Sequence, residues 1–112
     1  MEIVREQDQK FRGGASGVKY LFRGPKIDWG IIVFAPGEEL GRHLHNEVEE
    51  TFFFVEGEGG RIVVDGKEHA IAVGLAVRIE PGEVHNVVND TEADLKAVFI
   101  KSSYSPTDKV NV

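Results

Sequence analysis

From Val18 to Ser102 the chain is a succession of short apolar runs cut by glycine and proline, with almost no helical periodicity. No other feature constrains the fold as much. Runs of roughly four to eight residues bounded by turn residues form strands and are too short for core helices. The runs are VKYLF (18–22), WGIIVFA (29–35), ETFFFVEG (50–57), LAVRIE (75–80), HNVVND (85–90) and LKAVFIKS (95–102). Between them RIVVDGKEHAIAV (61–73) reads as a hairpin turning on Asp65-Gly66. Asp-Gly readily takes up the positive φ angles that a tight two-residue hairpin turn requires. About eight short strands in one small domain predict an all-β barrel or sandwich.

Several runs are apolar at both parities. On a strand Phe52 and Phe54 point one way, and Phe53 and Val55 the other. Both faces are therefore expected to be covered, one by the interior and the other by a second sheet or a partner subunit. Residues 1–17 form a polar N-terminal arm, frayed or paired with a neighbouring strand. Residues 103–112 form a C-terminal tail, with Tyr104 in a strap across the barrel.

Composition excludes some chemistry. The chain has no cysteine, so disulfides, thiolate nucleophiles and zinc–thiolate sites are out. Its 19 acidic and 13 basic residues give a formal charge of −6, which disfavours nucleic acid and anionic membrane. A cationic pocket inside an acidic shell remains compatible with that total. The opening MEIVREQDQK lacks the apolar centre of a signal peptide. No stretch approaches the ~20 apolar residues of a membrane helix. The expectation is a cytoplasmic protein.

The polar residues of interest begin at GRHLHNEVEE (41–50). His43 and His45 are two apart, so on an extended chain both rings face the same side. A metal pair and a polar strand end both fit that spacing. Glu50 opens the ETFFFVEG run and shares a face with Phe52 and Phe54; a carboxylate there is costly to bury unless paired, protonated or metal-bound. His85 follows Pro81-Gly82 and shares a face with Val87 and Asn89.

Two stretches now align with a known pattern. The first is Gly37, five residues, His43, one residue, His45, four residues, Glu50, six residues, Gly57. The second is Gly74, five residues, Glu80-Pro81-Gly82, two residues, His85, three residues, Asn89. In order and spacing they resemble the two motifs of the cupin superfamily, at 37–57 and 74–89. Glu80 stands where the second motif usually has proline, but the Pro-Gly turn is kept. The short segment between Gly57 and Gly74 is similar to that of small single-domain, conserved-barrel members.

The resemblance implies a single cupin domain over 1–112, a jelly-roll β-barrel also described as a double-stranded β-helix. It implies metal ligands at His43, His45, Glu50 and His85, and it selects Glu50 over Glu49. Glu47 and Glu49 are then solvated loop acids. Three imidazoles and a carboxylate suit one divalent first-row ion: Mn, Fe, Co, Ni, Cu or Zn. The resemblance also implies a homodimer, which would cover apolar surface near Trp29 or Phe53. It does not imply one reaction. A metalloenzyme of dioxygenase or isomerase type acting on a small oxygenated molecule is the first expectation. A non-catalytic module binding a small molecule or sugar is the alternative.

Parity alone nominates Phe52, Phe54, Val87 and Asn89 as substrate contacts. Arg61 and Arg78 are expected to face outward, and His69 to be an exposed strand histidine. Tyr20 and Tyr104 are further acid/base candidates.

Overall fold

The computed structural model describes residues 1–112. After a 3-10 turn at Glu6–Asp8 come β1 (Gly17–Arg23), β2 (Asp28–Phe34), β3 (His43–His45), β4 (Glu50–Glu56) and β5 (Arg61–Val64). They are followed by β6 (Lys67–Ala70), β7 (Ala76–Ile79), β8 (His85–Val88), β9 (Leu95–Lys101) and β10 (Lys109–Asn111). The all-β expectation holds. Two three-residue strands, β3 and β10, lie outside the apolar runs and pair with each other. No helix is long and apolar enough to cross a membrane.

The strands form two five-stranded sheets, ordered β1-β2-β9-β4-β7 and β10-β3-β8-β5-β6. Every strand pairing in both is antiparallel. The Asp65-Gly66 turn joins β5 to β6, with φ of 47° and 79°, the conformation that only Gly, Asn and Asp adopt readily. The sheets face each other across one core. The first sheet contributes Ile32, Phe34, Phe52, Phe54, Ile79, Leu95, Ala97 and Phe99; the second contributes Ile62 and Val87. Phe52 and Phe54 stack with ring centroids 6.3 Å apart. Burying each contributes about 1.5–3 kcal/mol.

The opposite parity of β4 meets no second layer. Phe53 and Val55 remain 44% and 38% exposed, and Ile100 beside them on β9 is 40% exposed. Covering of both faces by one chain is thus limited to the part reached by the N-terminal arm. That arm joins no strand ladder; it is held by side chains and by the Arg12 N–H, which donates to the Val18 carbonyl of β1 at 2.7 Å. Lys19 and Lys96 both reach the Glu6 carboxylate, and Lys19 lies over the Phe11 ring.

A break in β1 sets which of its side chains reach the interior. The register shifts between Tyr20 and Phe22, leaving Leu21 as a bulge. Phe22 then pairs with Trp29 on the outer face, and Arg23 pairs with Asp28 on the inner one. In a regular strand, positions three apart face opposite sides. The bulge lets Tyr20 and Arg23 face inward together.

Candidate metal centre

His43 and His85 are register partners across β3 and β8, so antiparallel pairing sets their rings side by side, with centroids 4.2 Å apart. His45, two residues on, faces the same way. Glu50 comes from β4 in the other sheet. One donor atom from each of His43, His45, Glu50 and His85 lies within 4.8 Å of the others, and all four residues are buried. The cluster therefore joins three imidazoles of one sheet to a carboxylate of the other.

Backbone carbonyls fix two of the rings. His43 Nδ1 lies 2.8 Å from the Gly41 carbonyl, and His85 Nδ1 lies 3.0 Å from that of Glu83. With Nδ1–H donating there, each ring turns its Nε2 towards the cluster. Burial is the main reason His43 is pulled down to about 4, so its ring is neutral at pH 7. Burial alone would raise the Glu50 carboxyl. Contact with His45 and His85, at 3.5 and 3.3 Å, outweighs it and holds the group at about 2. The charge of Lys101 adds to that fall.

Does this donor set fit an ion? His45 Nε2 is buried and has no hydrogen-bond partner. An unsatisfied buried nitrogen costs stability unless something binds it. Imidazoles plus a carboxylate are donors that suit Mn, Fe, Co, Ni, Cu or Zn. The residues present fit such an ion.

A cavity of about 250 Å³ is lined by His43, His45 and Glu50 at one side. His85, 1% exposed, completes the cluster from behind. The volume lies just below the usual range for ligand pockets, about 300–1,000 Å³, and suits a small molecule. Phe52, Ile32, Leu40 and Phe99 form an apolar side. The remaining wall is charged, and sequence reasoning missed it: Arg23, Asp28 and Lys101 line the cavity with Tyr20. Parity held a signal, because Asp28 shares a face with Ile32 and Phe34, and Lys101 with Ala97 and Phe99.

Of the nominated substrate contacts, only Phe52 lines the cavity. Phe54 and Val87 face inward as expected but are fully buried in the core. Parity reports the face of a strand and not the depth. Phe54 is a two-residue step, about 6.6 Å, beyond Phe52 along β4, further from Glu50. Asn89 is spent elsewhere. Its amide donates to the Phe34 and Ala93 carbonyls at 2.7 and 2.8 Å, and its oxygen accepts from Thr91 N–H and Oγ1–H. It ties the end of β2 to the loop before β9.

The other candidates are peripheral. His69 is exposed on β6. Arg78 is exposed and pairs with Glu80, while Arg61 pairs with Asp90 and Glu68. Glu47 is exposed, Glu49 is half-buried beside Arg78, and Tyr104 is 47% exposed. The altered second motif keeps its turn: Gly82 N–H donates to the His45 carbonyl at 2.7 Å, linking it to the histidine strand.

Asp108 was not visible as a functional position. Its carboxylate accepts from the backbone N–H groups of Asn46, Glu47 and Val48 at 2.9–3.1 Å. These residues connect His45 to Glu50. Burial acts to raise the Asp108 carboxyl, but the three N–H donors prevail and lower it.

Comparisons with known proteins agree with this geometry. Residues 30–101 match the family described as Cupin domain. A conserved protein with a double-stranded β-helix domain from Klebsiella pneumoniae superposes with TM-score 0.82 at 16% identity, covering 100% of this chain and 97% of that one. A salicylate 1,2-dioxygenase from Pseudaminobacter salicylatoxidans gives TM-score 0.66 at 27% identity, covering 70% of this chain and 22% of that one. An oxalate oxidase in complex with the substrate analogue glycolate gives TM-score 0.68 at 21% identity, covering 78% and 46%. No curated protein matches the sequence. The family match covers most of the chain and includes every donor of the cluster: the chain belongs to the cupin family.

Proposed function

We propose that the protein is a metal-binding cupin that acts as a metalloenzyme, of dioxygenase or isomerase type, on a small oxygenated molecule. The observation that carries this reading is the convergence of four buried donors at the side of a small cavity. Similarity to a salicylate 1,2-dioxygenase supports the reaction class. His43, His45, Glu50 and His85 would hold the ion. When bound, it would polarise ligand oxygens or, if redox-active, support chemistry with dioxygen.

The chain's own residues supply the rest. The Gly41 and Glu83 carbonyls keep the His43 and His85 rings oriented. Phe52 and its apolar neighbours keep water away from the reacting end. The exposed patch of Phe53, Val55 and Ile100 supports assembly with a second copy of the chain, since contiguous exposed apolar surface marks interaction sites.

Metal analysis of the purified protein and of His45→Ala, followed by oxygen-uptake and isomerisation assays with small hydroxy and oxo acids, tests the reading. Stoichiometric metal lost in His45→Ala, with turnover in the wild type, is the expected result. Metal-free wild type sinks the metal reading. Tight ligand binding without turnover assigns the protein as a binding module instead.

A further inference from the structure

One row of register partners crosses the first sheet at the level of the cluster. Arg23 on β1 faces Asp28 on β2, Asp28 faces Lys101 on β9, and Lys101 faces Glu50 on β4. Directly opposed residues have Cβ atoms about 4.5–5.5 Å apart. The row therefore reads plus, minus, plus, minus, and its last member is a proposed metal ligand. All four residues line the cavity.

Two features show that this row is not a self-contained ion-pair ladder. Asp28 is 2% exposed, yet its Oδ1 has no hydrogen-bond partner. Arg23 Nε stays 3.6 Å away, beyond hydrogen-bond range. Lys101 Nζ donates to the Tyr20 hydroxyl at 3.2 Å, and its remaining protons face no carboxylate within ion-pair distance. Tyr20 gathers the cations: the Arg23 guanidinium lies 3.9 Å from its ring centroid and Lys101 Nζ 5.6 Å. The cavity lining holds four cations, Arg12, Arg23, Lys101 and Lys109, against two carboxylates, Asp28 and Glu50. That is a formal +2 inside a chain of −6.

We propose that this wall is the anchoring subsite for a small hydroxy-carboxylate. Arg23 and Lys101 receive the carboxylate, and Asp28 Oδ1 accepts a hydrogen bond from the hydroxyl. The proposal deepens the functional reading above and rests on the cavity being a ligand site. It names a substrate class: acids, not neutral sugars or diols. A charged donor set facing an anion gives short, charge-assisted hydrogen bonds.

Isothermal titration of the metal-reconstituted protein tests it, using glycolate and salicylate, their neutral amides, and acetate. Both acids should bind at least about tenfold more tightly than their amides. Arg23→Gln and Lys101→Gln should each reduce that preference at least about fivefold with metal content unchanged. Asp28→Leu, which has no acceptor, should remove the preference for glycolate over acetate. Arg23 is 42% exposed, so its variant tests the clamp even if the Lys101 variant fails to fold. Equal binding of acids and amides, or an Arg23→Gln protein that keeps the full preference, overturns the proposal and leaves the metal reading standing. Charge-selective binding in a protein that takes up no metal would do the reverse.

Discussion

Replacing Asp108 by alanine isolates what holds the histidine strand to the glutamate strand. The carboxylate satisfies three backbone N–H groups between His45 and Glu50. Asn46 N–H keeps the Asp108 main-chain carbonyl at 3.3 Å and Glu47 is exposed to water, so each loss costs roughly 0.5 kcal/mol. Val48 is 2% exposed, and stranding its N–H costs roughly 2 kcal/mol. The sum is about 3 kcal/mol. For a chain of 112 residues, at about 2.1 cal/mol/K per residue, this lowers Tm by about 13 °C. Asp108→Asn should recover little of the loss, because its amide would set a donor against the N–H groups that one carboxylate oxygen now accepts. Calorimetric melts of metal-free wild type, Asp108→Ala and Asp108→Asn provide the comparison. Metal affinity should fall in parallel, since residues 46–48 fix the separation of His45 from Glu50. A Tm for Asp108→Ala within about 2 °C of wild type would refute the reasoning.

Three further outcomes are expected. The His43 ring titrates near 6.5 unfolded but at about 4 folded, so the unfolded chain binds the extra proton first. Its contribution is therefore complete above pH 6.5 and is lost as pH falls towards 4, by up to about 3 kcal/mol; metal-free urea midpoints that stay flat from pH 7 to 4.5 would contradict this. Asn89→Ala should cost about 3 kcal/mol in chemical denaturation while leaving metal content unchanged, whereas loss of ligand binding in the folded variant would return Asn89 to the site. Gly57→Ala should cost about 2 kcal/mol or more, because Gly57 has φ +92° and an added Cβ would meet the Asp94 carbonyl and Leu95; a neutral result would show that the turn can rearrange.

The legible parts of this molecule were those encoded locally. Asp65-Gly66 specifies its own hairpin, and the parity of β4 puts Phe52 and Phe54 on one face and Phe53 and Val55 on the other, although the second face is exposed and not covered as expected. The resemblance of the two motifs to the cupin pattern, not local spacing alone, named His43, His45, Glu50 and His85, which the fold brings together. What could not be read depends on register between distant strands. Arg23, Asp28, Lys101 and Glu50 form a row only after β1, β2, β9 and β4 have paired, and a bulge at Leu21 shifts the first of them. Strands β3 and β10 are three residues each and are defined by each other, not by any apolar run. Phe54, Val87 and Asn89 do not line the cavity, because alternation gives a direction without a depth.

The division of donors between the sheets makes the cluster a gauge of how the two layers sit. Three imidazoles ride on β3 and β8, and the carboxylate rides on β4 across the core. Any change in the spacing of those layers alters the bite of the four donors, even when no donor is touched. For an ion held there as proposed, enlarging or trimming Phe54 or Ile62 would change the separation of the donors without altering the donor set. Conversely, an ion bound here would resist shear between the sheets, linking its identity to the mechanical stiffness of the whole barrel.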